Sequence, residues 1–270
     1  MAIYTTVNQQ IINLGRKLDE GGEGTVYEIT GHPELVAKVY KVDKRTPERE
    51  SKLKAMVANP PQDDTRKLSS PHISIAWPTD LLYEQSRFVG YLMPRISQSP
   101  DIFVVYNPQL RAEKYPELNW NYLHRTARNL ATALNALHAR GYVMGDVNPR
   151  NVLVTQKALV TLVDTDSFQV RDATGYVHRC LVGMPEYTPP ELQGMDLNSL
   201  DRAPYHDCFG LAVLIFQLLM EGQHPFNAKL DATLSVGEVN LYCIRQGIFP
   251  YYKAHTLMSS RVRQRQPVET

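Results

Sequence analysis

The sequence predicts an α+β fold in two lobes, a small antiparallel β-sheet lobe with one helix followed by a larger, mainly helical lobe. Short strand-like runs and one charged helix fill the chain up to Pro94, whereas apolar residues spaced three and four apart predict long helices further on. A length of 270 residues with 43% hydrophobic composition is enough for two lobes with a substantial core. We therefore expect a sheet lobe over residues 1–94 and a helical lobe over residues 95–270.

The composition argues against several classes of protein. A formal net charge of +1 gives no electrostatic case for nucleic acid or a membrane surface as a partner. The sequence has no run of eighteen apolar residues and no signal-peptide pattern, so we expect a cytoplasmic protein. Cys180, Cys208 and Cys243 form no C-x-x-C pair, which argues against a zinc site or a disulfide framework and predicts reduced thiols, two of them in helices.

Residues 14–41 read as a strand, a glycine-containing loop and two further strands. Three glycines between residues 21 and 24 would let the backbone bend closely over phosphate groups, although an ordinary hairpin turn explains the same cluster. Lys38 follows this cluster in the apolar run Val36-Ala37-Lys38-Val39, where it either faces inward or is a solvated strand lysine. An inward lysine strengthens the phosphate-binding interpretation of the glycines.

A charged helix is predicted over residues 48–57, because Pro47 suits the first turn of a helix. Glu50 shares a helical face with Leu53 and Val57, and it is the better candidate for an inward acid. Glu48 is the alternative, and either glutamate could instead be a solvated surface charge.

A long connection and two strands are predicted next. Residues 59–71 are rich in proline, aspartate and serine, which indicates the connection. Strand-like runs then cover residues 73–83 and 87–93. Pro94 removes a ladder donor, so the chain is expected to leave the sheet there.

A long amphipathic helix is predicted over residues 119–140. Its apolar stripe consists of Leu123, Ala127, Leu130, Leu134 and Leu137, and Gly141 ends it at a C-cap-like position. The helix delivers the following loop rigidly from one end. His138 lies just past the stripe and is expected to be a structural hydrogen-bonding residue rather than a catalyst.

The segment from Leu137 to Asp166 is the part around which the rest of the chain is organised. Asp146 and Asn151 lie in a loop, and two strand-like runs after it have hairpin spacing, which returns Asp164 to the same place. Oxygen ligands of this kind can hold Mg²⁺ on a triphosphate while a separate aspartate accepts a hydroxyl proton, so the set suits phosphoryl transfer. The alternative is that Asp146 and Asn151 are only turn-forming residues.

This segment resembles the catalytic loop and metal-binding segment of eukaryotic-type protein kinases. That family carries H-R-D-x-x-x-x-N followed by D-F-G, where this sequence has Met144-Gly145-Asp146, then Asn151, then Asp164-Thr165-Asp166. The resemblance implies a protein-kinase-like fold that transfers the γ-phosphoryl group of ATP to Ser or Thr hydroxyls of proteins, its own chain included. Asp146 would be the base, and Asn151 and Asp164 would hold Mg²⁺, with Mn²⁺ as an alternative ion.

The resemblance also implies how the nucleotide is held. Lys38 would contact the α- and β-phosphates and Glu50 would pair with it, so we expect Lys38→Met to weaken activity while hardly changing the melting temperature. Met93 would border the adenine, and backbone groups near Arg95 and Ile96 would bond the base. The implied nucleotide-binding residues are Gly21, Gly22, Glu23, Gly24, Thr25, Val26, Ala37, Lys38, Met93, Arg95, Ile96, Asn151, Leu153 and Asp164.

The remainder of the chain favours a protein substrate. Residues 183–191, GMPEYTPPE, resemble the end of a kinase activation segment, G-T-P-x-Y-x-A-P-E. A helix predicted over residues 207–220 resembles the family's central helix, whose first Asp braces the catalytic loop. Small-molecule phosphotransferases of the aminoglycoside and choline type share the G-D-x-x-P-x-N pattern of residues 145–151 but do not typically carry that segment. Such an enzyme remains an alternative.

Departures from the family pattern bear on the mechanism. Asn148 stands where Ser/Thr kinases have a lysine and Met184 where they have a threonine, which removes a positive charge near the transferred group. Gly145 replaces the arginine that reads a phosphorylated activation loop. Asp166 replaces the glycine of D-F-G and could add a metal contact. A pseudokinase that binds ATP as an interaction module is therefore the nearer alternative.

A narrower resemblance joins the runs GGEGTVY, GDVNPRN and DTDSFQV. They are similar to bacterial kinases encoded beside a PP2C-type phosphatase and a von Willebrand A-domain protein in stress or tellurite-resistance gene clusters, which implies those two proteins as partners. Only forty-four residues follow Phe226, so we expect the helical lobe to be truncated at its C-terminus. Residues 262–267 are expected to form a solvated tail.

Overall fold

The computed structural model describes residues 3–67, 69–97, 99–230 and 235–251, together with the backbone of residues 262–264. It confirms the predicted α+β fold, with an antiparallel sheet lobe that carries one α-helix and a second, mainly helical lobe. No helix in these described ranges has the length and apolar composition needed to cross a bilayer.

A seven-stranded antiparallel sheet forms the first lobe, in the order β2-β1-β6-β7-β5-β4-β3. Strand β5 lies inside the sheet between β4 and β7, so Lys38 is placed by pairing on both sides, opposite Val26 and Tyr91. The strands are β1 (Tyr4–Thr5), β2 (Ile11–Ile12), β3 (Leu14–Glu20), β4 (Gly24–Ile29), β5 (Leu35–Tyr40), β6 (Asp80–Glu84) and β7 (Arg87–Pro94).

Helix α1 (Pro47–Ala58) is the single α-helix in the described part of this lobe. It begins as the sequence predicts, because Pro47 occupies the first turn and the Thr46 hydroxyl oxygen accepts a hydrogen bond from the Arg49 amide at 3.3 Å. Leu53 and Met56 are fully buried on its inner face. Full burial of one such side chain stabilises the fold by about 1.5–3 kcal/mol.

The second lobe is mainly helical. Helix α4 keeps the predicted position, with the Asn119 side chain capping its first turn. The elements after β7 are α2 (Ile102–Tyr106), α3 (Pro108–Lys114), α4 (Trp120–His138), β8 (Val152–Val154), β9 (Val160–Leu162), β10 (Val170–Arg171), β11 (Val177–His178), α5 (Pro204–Leu219), β12 (Ala228–Leu230), α6 (Val236–Arg245) and β13 (Val262–Gln264).

One buried apolar core runs from the sheet lobe into the helices. It contains Met56 of α1, Tyr91 of β7, Leu130 of α4 and Val213 of α5. At the junction the Trp77 and Tyr142 rings stack with centroids 5.4 Å apart. The Trp77 indole N–H also donates to the Met56 carbonyl oxygen at 2.8 Å. The two lobes therefore share apolar packing as well as the chain connection.

The structure departs from the sequence prediction in two elements of this region. Residues 73–79 lie outside the large sheet, and Ile75 forms a bridge with Leu162 of β9 instead, which ties the two lobes together. Helix α5 begins at Pro204, ahead of the predicted residue 207, because the His206 imidazole accepts a hydrogen bond from the Ala203 amide and caps the added turn.

Several short elements were not predicted, namely β1, β2, α2, α3 and the pairs β10–β11 and β12–β13. Each is too short for its periodicity to be distinctive. Cys208 and Cys243 lie in helices α5 and α6, and all three cysteines are free thiols, as expected. Of the expected solvated tail, residues 262–264 form β13 and residues 265–267 lie outside the described part of the chain.

Candidate active site

A cavity of about 1160 Å³ opens between the two lobes. It is lined on one side by the glycine loop and strand β5, and on the other by the loops around β8 and β9. Its volume lies slightly above the range that is usual for ligand pockets, about 300–1,000 Å³. The predicted site residues on its wall are Gly21, Gly22, Glu23, Gly24, Val26, Lys38, Met93, Arg95, Ile96, Asp146, Leu153 and Asp164.

The glycine loop connects β3 and β4 over this cavity. The Gly21 amide donates to the Gly24 carbonyl oxygen at 2.9 Å, which closes a tight turn. A Cβ at Gly24 would lie 2.5 Å from the Val39 carbonyl oxygen, so only glycine allows β4 to approach β5 this closely. Glu23 accepts two hydrogen bonds from the Arg49 guanidinium, at 2.6 and 3.1 Å. The loop is therefore fastened to helix α1.

Strand alternation corrects two of the predicted nucleotide-binding residues. Successive side chains of a strand point to opposite faces, so Val36 and Lys38 of β5 face the cavity and Ala37 does not. Ala37 is instead fully buried in a separate apolar cluster on the far side of the sheet. Gly24 and Val26 of β4 lie on the cavity wall. Thr25, between them in the strand, is therefore directed away from the cavity.

Lys38 lies at the centre of the site between two carboxylates. Its ammonium donates to both oxygens of Asp166 at 2.9 Å and to one oxygen of Asp164 at 3.1 Å. Burial alone would lower the pKa of Lys38, but Asp166, and then Asp164, raise it above its ordinary value. Lys38 is therefore a fixed cation in the cavity.

Asp166 is the more buried of the two carboxylates. It also accepts hydrogen bonds from the Tyr40 hydroxyl at 2.6 Å and the Tyr91 hydroxyl at 2.9 Å. Burial opposes its charge, yet Lys38 and the two hydroxyls hold the pKa of Asp166 well below its usual range. Lys38 and the two hydroxyls occupy both of its oxygens, which argues against the expected metal contact at Asp166.

Asp164 differs from Asp166 in exposure and conformation. Its side chain is 46% exposed, and burial together with the charge of Asp166 raises its pKa. Its backbone is left-handed, with φ 56° and ψ 37°, a strained conformation for a residue other than glycine. Only one of its oxygens accepts a hydrogen bond from Lys38, and Asp164 lines the cavity, so its other oxygen is open to a ligand.

The structure also corrects the role predicted for Glu50. Its carboxylate accepts from the Tyr83 hydroxyl at 3.0 Å and pairs with the Lys54 ammonium at 2.7 Å, so it does not pair with Lys38. The residues of α1 on the cavity wall are Glu48, Arg49 and Lys52. Because each residue turns a helix by about 100°, Glu50 lies on nearly the opposite side of α1 from Lys52. Glu48 reaches the cavity without contacting Lys38.

Asp207, near the start of α5, braces the catalytic loop. Its two carboxylate oxygens accept the amides of Met144 and Gly145, both at 2.8 Å, and one of them also bonds His138 Nε2 at 2.8 Å. Asp207 is only 2% exposed. His138 is thus a structural hydrogen-bonding residue, as expected.

Asp146 is held from several sides in that loop. One carboxylate oxygen accepts the Met184 amide at 3.1 Å and the other accepts the Asn151 amide group at 3.2 Å. Its backbone carbonyl oxygen accepts the side-chain amides of Asn148 and Asn151 at 3.1 and 3.0 Å. The β8–β9 hairpin returns the chain to this loop, since the Val163 amide donates to the Asn151 carbonyl oxygen at 3.0 Å. Asp146, Asn151 and Asp164 are therefore brought together.

The residues present fit a divalent cation with oxygen ligands. Asn151 is buried behind Asp146, off the cavity wall, and its amide oxygen accepts no hydrogen bond from the described residues. That oxygen and the open oxygen of Asp164 are hard ligands of the kind Mg²⁺ prefers.

The segment after β7 lies where the base of a nucleotide was expected. Met93, Arg95 and Ile96 line the cavity, but the Arg95 amide already donates to the Glu34 carbonyl oxygen at 2.8 Å. The Arg95 guanidinium pairs with Glu28 at 3.1 Å. We predicted that backbone groups of both Arg95 and Ile96 bond the base. Since the Arg95 amide is already occupied, the Ile96 amide is the backbone donor of the two that is left for the base.

Sequence reasoning missed four residues that shape the site. Tyr40 and Tyr91 could have been found from strand alternation and pairing, because Tyr40 follows Lys38 by two residues and Tyr91 is its cross-strand partner. Lys52 forms no ion pair within the described ranges, and burial lowers its pKa to about 8. Arg202 fills the space beside Gly145, where an added Cβ would lie 2.6 Å from its guanidinium. Its position depends on tertiary packing and left no signal in the sequence.

Comparison with known proteins places this site in context. Residues 12–246 match the family model of the protein kinase domain. Protein kinase YegI of Escherichia coli K12 is 37% identical over 231 residues, which cover 83% of this chain and 34% of that protein. The human serine/threonine-protein kinase MRCK gamma is 35% identical over 116 residues, or 42% of this chain and 7% of that protein.

A solved structure supports the fold. The ROP18 kinase domain in complex with AMP-PNP and sucrose superposes with a TM-score of 0.55 at 17% identity, covering 83% of this chain and 68% of that one. The chain spans about a third of the length of the Escherichia coli relatives, which are 34% covered.

Proposed function

Because this chain belongs to the protein kinase family, we propose that it transfers the γ-phosphoryl group of ATP to Ser or Thr hydroxyls of protein substrates, including its own chain. The observation that carries the proposal is the convergence of Asp146, Asp164 and Lys38 on one cavity beneath the glycine loop. These are a carboxylate that can accept a proton, a carboxylate with an open oxygen, and a fixed cation. This combination serves phosphoryl transfer.

Asp146 acts as the proton acceptor. The Met184 amide and the Asn151 side chain hold its carboxylate in one orientation toward the cavity, which suits general base catalysis. It takes the proton of the substrate hydroxyl as the hydroxyl oxygen bonds to the γ-phosphorus and the bond to the leaving ADP oxygen breaks.

Lys38 and the glycine loop hold the nucleotide phosphates. The cation is ready before the nucleotide arrives, because Asp164 and Asp166 keep its side chain in place. Mg²⁺, when bound at Asp164 and Asn151, supplies additional positive charge to the phosphates. The Ile96 amide and the Met93 side chain are the contacts available to the base.

The protein substrate and the wider partners follow from the family resemblance. The GMPEYTPPE segment favours a polypeptide substrate over a small molecule. A PP2C-type phosphatase and a von Willebrand A-domain protein remain proposed partners, carried by the three runs of sequence similarity. The cytoplasm remains the proposed location.

The decisive experiment measures Mg-ATP binding by calorimetry and radiolabel transfer in parallel, in the parent and in Asp146→Asn. We expect transfer to fall by roughly 10²- to 10⁴-fold, the usual contribution of a general base, while nucleotide affinity changes little. Binding without transfer in the parent would instead support a pseudokinase. Transfer to small molecules alone would support a small-molecule phosphotransferase.

A further inference from the structure

We propose that Asp166 positions Lys38 toward the nucleotide, so that this lysine is held from the turn after β9 and not from helix α1. The proposal rests on the proposed function, because it concerns how the phosphate-binding lysine of that site is set. Asp166 acts on the substrate only through Lys38 and is therefore a positioning residue.

The contacts of Asp166 are those of a complete buried ion pair. The Lys38 and Asp166 side chains are 11% and 2% exposed, and the ammonium bonds both carboxylate oxygens at 2.9 Å. A buried pair of charges is favourable only when further hydrogen bonds satisfy it. The hydroxyls of Tyr40 and Tyr91 supply one such bond to each oxygen of Asp166.

Asp164 is unsuited to the same task. Its side chain is 46% exposed and offers Lys38 one oxygen at 3.1 Å. Solvent weakens an ion pair of this exposure. The two carboxylates therefore divide their roles, since Asp166 holds the lysine and Asp164 remains open to a ligand.

Helix α1 presents positive charge to this part of the cavity. Arg49 is paired with Glu23 of the glycine loop, and Lys52 forms no ion pair in the described chain. Of the acids of the helix, Glu50 is bonded to Tyr83 and Lys54, and Glu48 reaches the cavity wall without a hydrogen bond or ion pair to Lys38. The Asp166 carboxylate beside Lys38 and the Lys52 cation on α1 have complementary charges, so Asp166 attracts both lysines.

Asp166, which holds Lys38, is itself fixed to rigid parts of the fold. Asp166 lies in the turn Thr165–Ser167, and the Thr165 hydroxyl donates to the Ala76 carbonyl oxygen at 2.9 Å. Its hydroxyl partners belong to neighbouring strands β5 and β7 of the sheet. Lys38 is thus set by the sheet and this turn, whatever the position of α1.

The proposal can be tested without relying on activity, by the reactivity of Lys38. Nucleotide-free protein is acetylated with an N-hydroxysuccinimide ester at pH 8, and modification of Lys38 is measured by peptide mass spectrometry against the exposed Lys157. In Asp166→Asn the ammonium loses its main counter-charge in a buried place, so its pKa falls and more of it is reactive amine. We expect modification of Lys38 to rise at least fivefold.

Two variants serve as comparisons. Asp63→Asn removes another buried carboxylate, 6% exposed and bonded to the Ser74 amide at 2.8 Å but outside the cavity, and should leave Lys38 reactivity unchanged. Glu50→Gln tests the helix directly. Unchanged reactivity in folded Asp166→Asn, or an equal rise in Glu50→Gln, would overturn the proposal.

A stability measurement covers the case in which Asp166→Asn folds poorly. Removing one partner of a buried pair leaves an uncompensated charge, so removing both should be less damaging than the two single changes imply. We expect the loss of melting temperature in Lys38→Met/Asp166→Asn to be several degrees smaller than the sum of the two single losses. A double variant whose loss equals the sum of the single losses would show that the two residues do not interact.

Activity gives a separate readout. We expect kcat in Asp166→Asn to fall by about 10²-fold, the cost of misplacing a group by about an ångström, while Asp63→Asn retains the parent rate per folded molecule. Equal rates in Asp166→Asn and the parent would overturn the proposal. A parent that transfers no phosphate would refute the proposed function instead, while the reactivity of Lys38 would still decide the role of Asp166.

Discussion

Two lysines of the cavity differ in how their charges are compensated. Lys38 has Asp166 and Asp164 as partners, whereas Lys52 of α1, on the cavity wall, forms no ion pair in the described ranges. The earlier expectation that Lys38→Met hardly changes the melting temperature does not fit these contacts. That change would leave Asp166 buried without its cation, so the melting temperature should fall.

Lys52 gives a prediction for the pH dependence of stability. Its pKa is lowered from 10.5 to about 8 by burial, so the folded state binds fewer protons than the unfolded state between pH 8 and 10.5. The cost is fully present below pH 8 and is relieved as pH rises through this window. Lys52→Met should therefore stabilise the fold at pH 7, by at most about 3 kcal/mol, and this gain should shrink toward pH 10.5.

Urea denaturation at several pH values measures this effect. Lys157→Met, which changes an exposed lysine in the β8–β9 turn, is the matched control and should show no such pH dependence. A gain from Lys52→Met that stays constant up to pH 10.5 would contradict a lowered pKa at Lys52.

Asp164 gives a prediction for the metal ion. Its open oxygen faces the cavity, so Asp164→Asn should abolish the part of nucleotide-dependent thermal stabilisation that requires Mg²⁺. Thermal shift with nucleotide, with and without Mg²⁺, measures it, and Asp196→Asn, an exposed acid outside the cavity, should behave as the parent. Full Mg²⁺-dependent stabilisation in Asp164→Asn would place the ion elsewhere.

At the scale of elements, the pair formed by Arg49 and Glu23 joins the glycine loop to helix α1. The two side chains are 24% and 45% exposed, so solvent limits the contribution of the pair to about 1 kcal/mol. The guanidinium also lies over the Tyr40 ring, 4.5 Å from its centroid. The Arg49–Glu23 pair thus orders the glycine loop, but its contribution to the free energy of folding is small.

Arg49→Met tests this link. The methionine retains apolar contact with Tyr40 but releases Glu23, so the KM for ATP should rise by up to about fivefold with kcat little changed, as 1 kcal/mol implies. Lys54→Met on the same helix is the control, since Lys54 pairs with Glu50 outside the cavity. Steady-state kinetics distinguish the two, and an unchanged KM in Arg49→Met would mean that the loop is ordered without this contact.

At the scale of the whole molecule, the apolar core shared by the two lobes predicts cooperative unfolding. Residues of α1 and β7 pack in the same cluster as residues of α4 and α5, and Trp77 lies at the junction. In a Trp120→Phe background, Trp77 fluorescence and far-ultraviolet circular dichroism should report one urea transition with the same midpoint. Separate midpoints would show that the lobes unfold independently.

How much could be predicted from the sequence depended on the range of the interactions. The convergence of Asp146, Asn151 and Asp164 follows from a short hairpin, which is a local feature. Ala37 was wrongly predicted to bind nucleotide. The alternation of side chains along a strand, which can be read from the sequence, already directs Ala37 to the opposite face from Lys38. The partner of Lys38 was out of reach, because it depends on the rotation of α1 and on competition between Glu50 and Asp166, more than a hundred residues apart.

The anchoring of Lys38 to the sheet and the Thr165–Ser167 turn bears on how ligands could control this protein. A compound that binds beside α1 and tilts the helix changes few contacts of the lysine, since its hydrogen bonds go to Asp166 and Asp164, and Tyr40 and Tyr91 hold Asp166. Its coupling free energy with nucleotide binding should therefore be small. Selective inhibitors of this cavity would have to compete for the lysine directly.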